Sequence, residues 1–181
     1  MTQKFRKHQY FIADLINEHD FKVIAEIGIY NGTMTECLLK ECANIDEYWA
    51  IDQWCPLSEK HDKLSKLTDK DWFDKYYKVC KLSVDYTLLK VLKMDSITSS
   101  KLFPDKYFDL VFIDASHFYE DTKLDIITWL PKVRERGILS GHDYGRGGQR
   151  GFGVQEAVDE IFGPEEIEVL GKSTWIRKIK G

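Results

Sequence analysis

The chain has 181 residues, a formal net charge of −4, and 43% hydrophobic, 31% charged and 13% aromatic residues. That length suits one domain that buries roughly 70% of its unfolded surface without a disulfide or metal staple, and the aromatic content excludes bulk disorder. A mildly acidic chain without a long basic block is not built to bind phosphate backbones, so nucleic acid is not an expected partner and small or neutral substrates fit better.

Cys37, Cys42, Cys55 and Cys80 show neither CxxC nor paired spacing, so reduced thiols are expected and no zinc site or disulfide framework. Met1 to Lys7 lacks the apolar core of a signal peptide, and no apolar run reaches the ~20 residues that span a bilayer. The expectation is a soluble, cytoplasmic protein with no membrane partner, folded as a single domain over residues 1–181.

Tyr10, Phe11, Leu15 and Ile16 recur at helical spacing and predict a lead-in helix over about 8–18, within residues 1–20. Lys22 to Ile29 is a short β-branched run, a buried strand. Met34, Cys37, Leu38 and Cys42 share a face of a helix over 32–42, with Asn31 or Thr33 as its cap. Tyr48 to Asp52 is a second strand that stops on an acid, and the three elements make a βαβ unit with a parallel sheet.

Residues 53–87 form a helical excursion; over 58–78, eleven of twenty-one residues are charged, interleaved with Trp72, Phe73, Tyr76 and Tyr77. Its aromatics either pack on the body or close a lid over the site. Leu88 to Met94 is a third strand, followed by Asp95 and Ser96, and Phe108 to Ile113 is a fourth that ends on Asp114. A helix over 119–130 follows, marked by Leu124, Ile127 and Leu130 and closed by Pro131. Gly137 to Ser140 is a fifth strand that leads into His142 and Asp143. After a glycine-rich loop, residues 154–162 form a helix, and 167–170 and 174–179 form a hairpin adding an antiparallel strand at one edge. The alternation predicts an α/β, Rossmann-like, doubly wound and mostly parallel seven-stranded sheet.

Ligands of open α/β sheets bind beyond the carboxyl ends of the strands, which makes the acid-tipped strand ends the candidate site. Counting from Gly28, a dinucleotide fingerprint needs glycine where Tyr30 and Thr33 stand, so a pyrophosphate cofactor does not fit. The run Glu26-x-Gly28-x-x-x-Gly32 opens a helix whose amides suit a carboxylate. Asp52 stands where an acid accepts both ribose hydroxyls. A nucleoside carrying a carboxylate and no phosphate fits this set.

These features, with FDLVFIDASHFYED (108–121), WLPKVRERGILSGHDY (129–144) and GVQEAVDEIF (153–162), resemble class I S-adenosylmethionine-dependent methyltransferases over about residues 20–180. More narrowly they resemble a small-molecule O-methyltransferase family that includes macrocin-type sugar methyltransferases. The resemblance implies S-adenosylmethionine held by Glu26, Gly28, Tyr30, Gly32, Asp52, Asp95, Ser96 and Asp114. It also implies a divalent metal, Mg²⁺ or else Mn²⁺ or Fe²⁺, on Asp114, His142 and Asp143, although the family usually places two acids where His142 and Asp143 stand. His117 matches a histidine proposed as general base, with Asp114 beside it as the second catalytic residue.

Tyr30, Trp54 and Tyr119 are candidate acceptor walls, Arg146 and Arg150 either clamp an anion or remain solvated, and His8, His19 and His61 carry no expected role. The expected reaction is metal-assisted O-methylation of a hydroxylated small molecule such as a sugar or polyketide glycoside. Competing readings are a metal-independent methyltransferase for an amine or RNA, and a protein that binds the nucleoside without turnover. A chain this short can also borrow pocket walls from a second copy of itself, as a homo-oligomer.

Overall fold

The computed structural model describes residues 7–55, 64–145 and 153–181. The first part of the charged excursion, His61, and Arg146 and Arg150 with most of the glycine-rich loop, lie outside the described residues.

Seven strands form one sheet in the order β3-β2-β1-β4-β5-β7-β6. They are β1 (Val23–Ile27), β2 (Glu47–Asp52), β3 (Leu89–Lys93), β4 (Phe108–Ile113), β5 (Val133–Gly141), β6 (Glu168–Leu170) and β7 (Thr174–Lys178). The ladders β1–β2, β1–β4, β2–β3 and β4–β5 are parallel, whereas β7 pairs antiparallel with both β5 and β6. The reversed strand therefore sits one place in from the edge, with β6 outside it.

Side chains alternate across a strand, so each sheet face has its own core. Ile24, Leu110 and Phe112 face α1 (Lys7–Glu18), α2 (Thr33–Glu41) and α3 (Asp69–Asp85), where they meet Ile16, Leu38 and Val79. Ala25, Val111 and Ile113 face the other way. There they meet Phe103, which follows the short α4 (Ser96–Ser100), together with Trp129 of α5 (Tyr119–Trp129) and Val158 of α6 (Val154–Phe162). Among the described residues no helix is long and apolar enough to cross a membrane. All four cysteines are free thiols, with Cys37 and Cys42 buried.

Several local readings change. The cap of α2 is Gly32, in the left-handed region; Asn31 instead accepts from the Thr33 amide and hydroxyl. Gly32 is needed there because α3 packs close: a Cβ would lie 2.8 Å from Val79 Cγ2. The excursion helix α3 extends to Asp85 and starts from a capping box between Thr68 and Asp71. Of its four aromatics Trp72 is buried, Tyr76 packs on the core, and Phe73 and Tyr77 are exposed.

The expected apolar stripe of α5 is not its inner face. Leu124 and Ile127 are 49% and 52% exposed, and the helix buries Thr122, Asp125, Ile126 and Trp129. The large indole of Trp129, fully buried, sets the helix rotation, and residues three, four and seven positions before it follow it inward.

At the amino edge of the sheet the buried Asp109 ties three segments together. Its Oδ2 accepts from the backbone amides of Lys22 (2.5 Å) and Val23 (2.9 Å), and its Oδ1 meets Arg134 Nε at 2.5 Å. Asp109→Ala strands two backbone amides and removes the partner of the half-exposed Arg134, so urea denaturation is expected to show a loss of about 2–3 kcal/mol, while Asp109→Asn recovers part of it.

Candidate active site at the carboxyl edge

A cavity of about 640 Å³ opens at the carboxyl ends of β1, β2, β3 and β4. Its floor is the turn after β1. Gly28 takes φ +89°, and a Cβ there would lie 2.3 Å from the carbonyl oxygen of Asp114. The chain leaving β4 thus runs directly against a bare backbone, which only glycine provides.

Asp52 closes the adjacent side. Its Oδ2 accepts from the amides of Ile29 and Tyr30, both at 2.9 Å, and its Oδ1 from the amide of Trp54 at 2.7 Å. The carboxylate clamps the loops after β1 and β2 together, and Oδ1 keeps capacity for a further donor. Tyr30 and Trp54 take left-handed backbone angles, φ 54° and 39°. Trp54 Nε1 donates to the Tyr30 carbonyl at 3.0 Å, and the Tyr30 ring meets Trp72 edge-on. Tyr30, Trp72 and Leu64 line the cavity, so the charged excursion contributes wall. Trp54 is buried behind it, and Tyr119 turns its hydroxyl to Glu160 and Lys123.

Glu26 and Gly32 are not part of the cavity lining. Glu26 is buried behind it, where its Oε2 accepts from Thr35 Oγ1 (2.6 Å) and Tyr48 OH (2.5 Å). Asp95 and Ser96 do line the cavity. Asp95 is also the N-cap of α4, and the hydrogen bond from the Thr98 amide holds its carboxyl below the usual range.

Asp114 and His117 line the cavity beside Gly28. His117 Nε2 lies 3.3 Å from Asp114 Oδ1 and 3.2 Å from Asp143 Oδ2. These three residues each offer a ligand atom within 4.8 Å of the others. The group differs from the expected one, with His117 in place of His142. His142 turns its Nδ1 toward Asp143 Oδ1 at 3.0 Å and lies 3.9 Å from Asp114, while its Nε2 meets Ser173 Oγ at 3.0 Å. The reason is local: Asp143 adopts φ 61° just past the end of β5, and its carboxylate lies against His117. His8, which has no expected role, packs its ring on His142 with centroids 4.3 Å apart, so α1 reaches this strand tip.

The sequence reading missed Asp125. It lines the cavity and is only 4% exposed, and burial pushes its carboxyl up to about 6. The signal was present as an acid at the inner-face spacing of α5, but it was legible only once Trp129 had fixed which face is inner.

Burial pushes the Glu26 carboxyl up to about 8, from an ordinary value of 4.5. The folded state therefore holds this proton after the unfolded chain has released it, and its contribution to stability declines as pH rises from about 4.5 to about 8. Glu26→Gln keeps an oxygen for Thr35 and Tyr48 and has no proton to lose. Urea midpoints are expected to shift in favour of the variant on going from about pH 5 to about pH 8, and a pH-independent difference would refute the assignment.

Comparison with known proteins agrees with this architecture. A curated relative, the uncharacterized protein y4gI of Sinorhizobium fredii (strain NBRC 101917 / NGR234), is 27% identical over 142 residues. That match covers 76% of this chain and 15% of the relative, so the chain spans about a seventh of that protein's length. The S-adenosylhomocysteine-bound methyltransferase PaMTH1 of Podospora anserina superposes with TM-score 0.69 at 16% identity, covering 98% of this chain and 80% of that one. TomG of Streptomyces achromogenes, an O-methyltransferase of tomaymycin synthesis, superposes with TM-score 0.66 at 14% identity, covering 96% and 80%. At such identities these likenesses show the fold. The family description "Methyltransferase domain" matches residues 25–144, more than half of the sequence, from β1 to just past the tip of β5, and the chain belongs to that family.

Proposed function

We propose that the chain is an S-adenosylmethionine-dependent O-methyltransferase acting on a hydroxylated small molecule. One observation carries the reading: an imidazole bracketed by two carboxylates stands at one end of a cavity whose wall crosses four neighbouring strand tips. Three inter-strand steps, roughly 14 Å at ~4.8 Å each, leave room for an extended nucleoside with a short chain. The cofactors held by PaMTH1 and TomG, S-adenosylhomocysteine and S-adenosylmethionine, support the same choice.

In this reading the spare acceptor site on Asp52 Oδ1 takes a ribose hydroxyl, and the bare turn at Gly28 admits the methionine end beside Tyr30. Glu26 acts from behind the wall by bracing β1, β2 and α2. The acceptor oxygen attacks the methyl carbon in line, the C–S bond breaks with its electron pair going to sulfur, and the hydroxyl proton passes to the His117 imidazole. Asp114 and Asp143 stabilise the imidazolium that forms. Alignment of the two partners supplies the larger share, on the order of 7–11 kcal/mol, and proton removal adds roughly 10²–10⁴ in rate.

A divalent cation fits the two carboxylates, because Asp114 and Asp143 offer ligand atoms within 4.8 Å of each other. Oxygen donors suit Mg²⁺, and the His142 imidazole beside Asp143 would admit Mn²⁺ or Fe²⁺. Asp114, Asp143 and His142 would hold it, which leaves His117 as the base. When bound, the cation supplies Lewis acidity that lowers the acceptor hydroxyl's pKa. The acceptor is a sugar or polyketide glycoside in this proposal, and a second copy of the chain supplies any wall that one copy lacks.

Calorimetry is expected to show S-adenosylmethionine binding in the micromolar range, weakened at least tenfold in Asp52→Ala; equal affinity for NAD⁺ rejects the cofactor assignment. With a phenolic or sugar acceptor panel, His117→Ala is expected to lower kcat by roughly 10²–10⁴ with cofactor affinity retained. Excess chelator is expected to abolish turnover and Mg²⁺ or Mn²⁺ to restore it. Full activity in chelator removes the metal from the mechanism, and loss of metal in His117→Ala makes that residue a ligand and not the base.

A further inference from the structure

We propose that the outer face of α3 is a self-pairing seam, on which a second copy of the chain docks antiparallel across a twofold axis. The inference rests on this helix and not on the S-adenosylmethionine reading, so the two stand or fall separately.

A helix packed on a sheet is expected to turn one apolar stripe inward and polar residues outward. α3 has two apolar stripes. Trp72 and Val79 form the buried one. Phe73, Tyr77, Cys80 and Val84 form the other, at steps of four, three and four residues that keep them within about 60° of arc. That arc lies about a third of a turn away from the buried face. Phe73, Tyr77 and Val84 are 56%, 51% and 79% exposed, and Cys80 is half-buried beside them. The Phe73 and Tyr77 rings stack with centroids 6.1 Å apart, so the stripe begins as a flat aromatic surface. Large apolar side chains aligned in this way mark an interaction surface, as single exposed ones do not.

These steps are those of a coiled-coil seam, with Tyr77 and Val84 at its a positions and Phe73 and Cys80 at its d positions. In an antiparallel pair a residues meet d residues. Phe73 then packs on the partner's Val84, and Tyr77 on the partner's Cys80, so a ring meets a smaller side chain in every layer. The charges decide the occupant. Asp74 and Lys81 lie on the same flank of the stripe, seven residues apart and of opposite sign. Lys81 extends along the stripe, with its Nζ 4.6 Å from the centre of the Tyr77 ring. Asp74 meets Lys70 at 2.5 Å in an exposed pair, a contact weak enough to be shared. A twofold axis brings like flank to like flank in an antiparallel pair, so Asp74 faces the partner's Lys81 and Lys81 the partner's Asp74. A parallel pair would set this flank against Tyr76 and Ser83, which carry no matching charge. The face is therefore complementary to itself, in one orientation.

The test is sedimentation equilibrium of the full chain, without cofactor and in reductant so that Cys80 cannot cross-link copies. The wild type is expected to show a monomer–dimer equilibrium in the micromolar range, which Phe73→Glu weakens by roughly tenfold or more. Asp74→Lys and Lys81→Glu each set like charges face to face twice, and each is expected to self-associate roughly tenfold or more weakly than the wild type. Mixed together, these two variants are expected to regain the wild-type affinity as a heterodimer, because every facing pair is again opposite in sign. Both variants remain net negative, so general charge attraction does not favour the mixture. Recovery in the mixture also shows that neither variant lost affinity by misfolding. A wild type that stays monomeric, a dimer indifferent to Phe73→Glu, or a mixture as weak as its components each overturns the seam. Calorimetric S-adenosylmethionine binding is a separate readout, so failure here leaves the reading of the cavity untouched.

Discussion

Everything at the carboxyl edge depends on one close approach, that of the Gly28 backbone to the Asp114 carbonyl. A Cβ at position 28 would stand 2.3 Å from that oxygen, so the two central strands can leave the sheet side by side only if this residue has no side chain. Their contact is reinforced at the backbone, where the Asp114 amide donates to the Ile27 carbonyl at 2.8 Å and the Gly28 amide to Ile51 at 2.9 Å. With three exits held at fixed spacing, the acids that terminate β2 and follow β4 become two walls of one cavity. A larger residue at 28 would displace the reactive end of β4 before it touched any ligand.

The strands β1, β2 and β4 were legible because each is a β-branched or aromatic run bounded by glycine or acid, and β4 matches its expected limits residue for residue, whereas β5 begins at Val133, four residues before the expected Gly137. Positions that depend on which way an element is turned were less so. The stripe of Leu124 and Ile127 is a sound helical pattern, yet the weight of Trp129 rotates α5 so that Asp125 points inward. His117 and His142 are both near strand tips in the sequence, and which of them joins Asp114 and Asp143 depends on the left-handed backbone at Asp143. His8 is more than a hundred residues from His142, and no local pattern indicates that α1 brings their rings together.

The acids at this edge differ in how they are compensated. Asp52 is surrounded by backbone amides and Asp95 caps a helix, so both stand among donors supplied by the fold. Asp114 and Asp143 share the His117 imidazole, and Asp143 also meets that of His142. Glu26 and Asp125 receive only neutral hydroxyls and lie in the interior, which raises both carboxyls above the ordinary range. Similar carboxylates thus become loop clamp, helix cap, imidazole partner and buried acid according to the donors around them.

Tyr30, Trp54 and Asp143 hold left-handed backbone angles at the ends of three different strands. For residues with a Cβ this conformation carries a steric cost, roughly 1–2 kcal/mol each, and such strain persists only where surrounding contacts over-determine it. Stability and competence are therefore opposed at this rim. Selection for heat resistance alone would favour glycine or asparagine at these three places, and would erode the aromatic wall and the imidazole clamp as it did so. A thermally hardened descendant of this chain would be recognisable by relaxed backbone angles at the rim and by a cavity that no longer holds its contents in register.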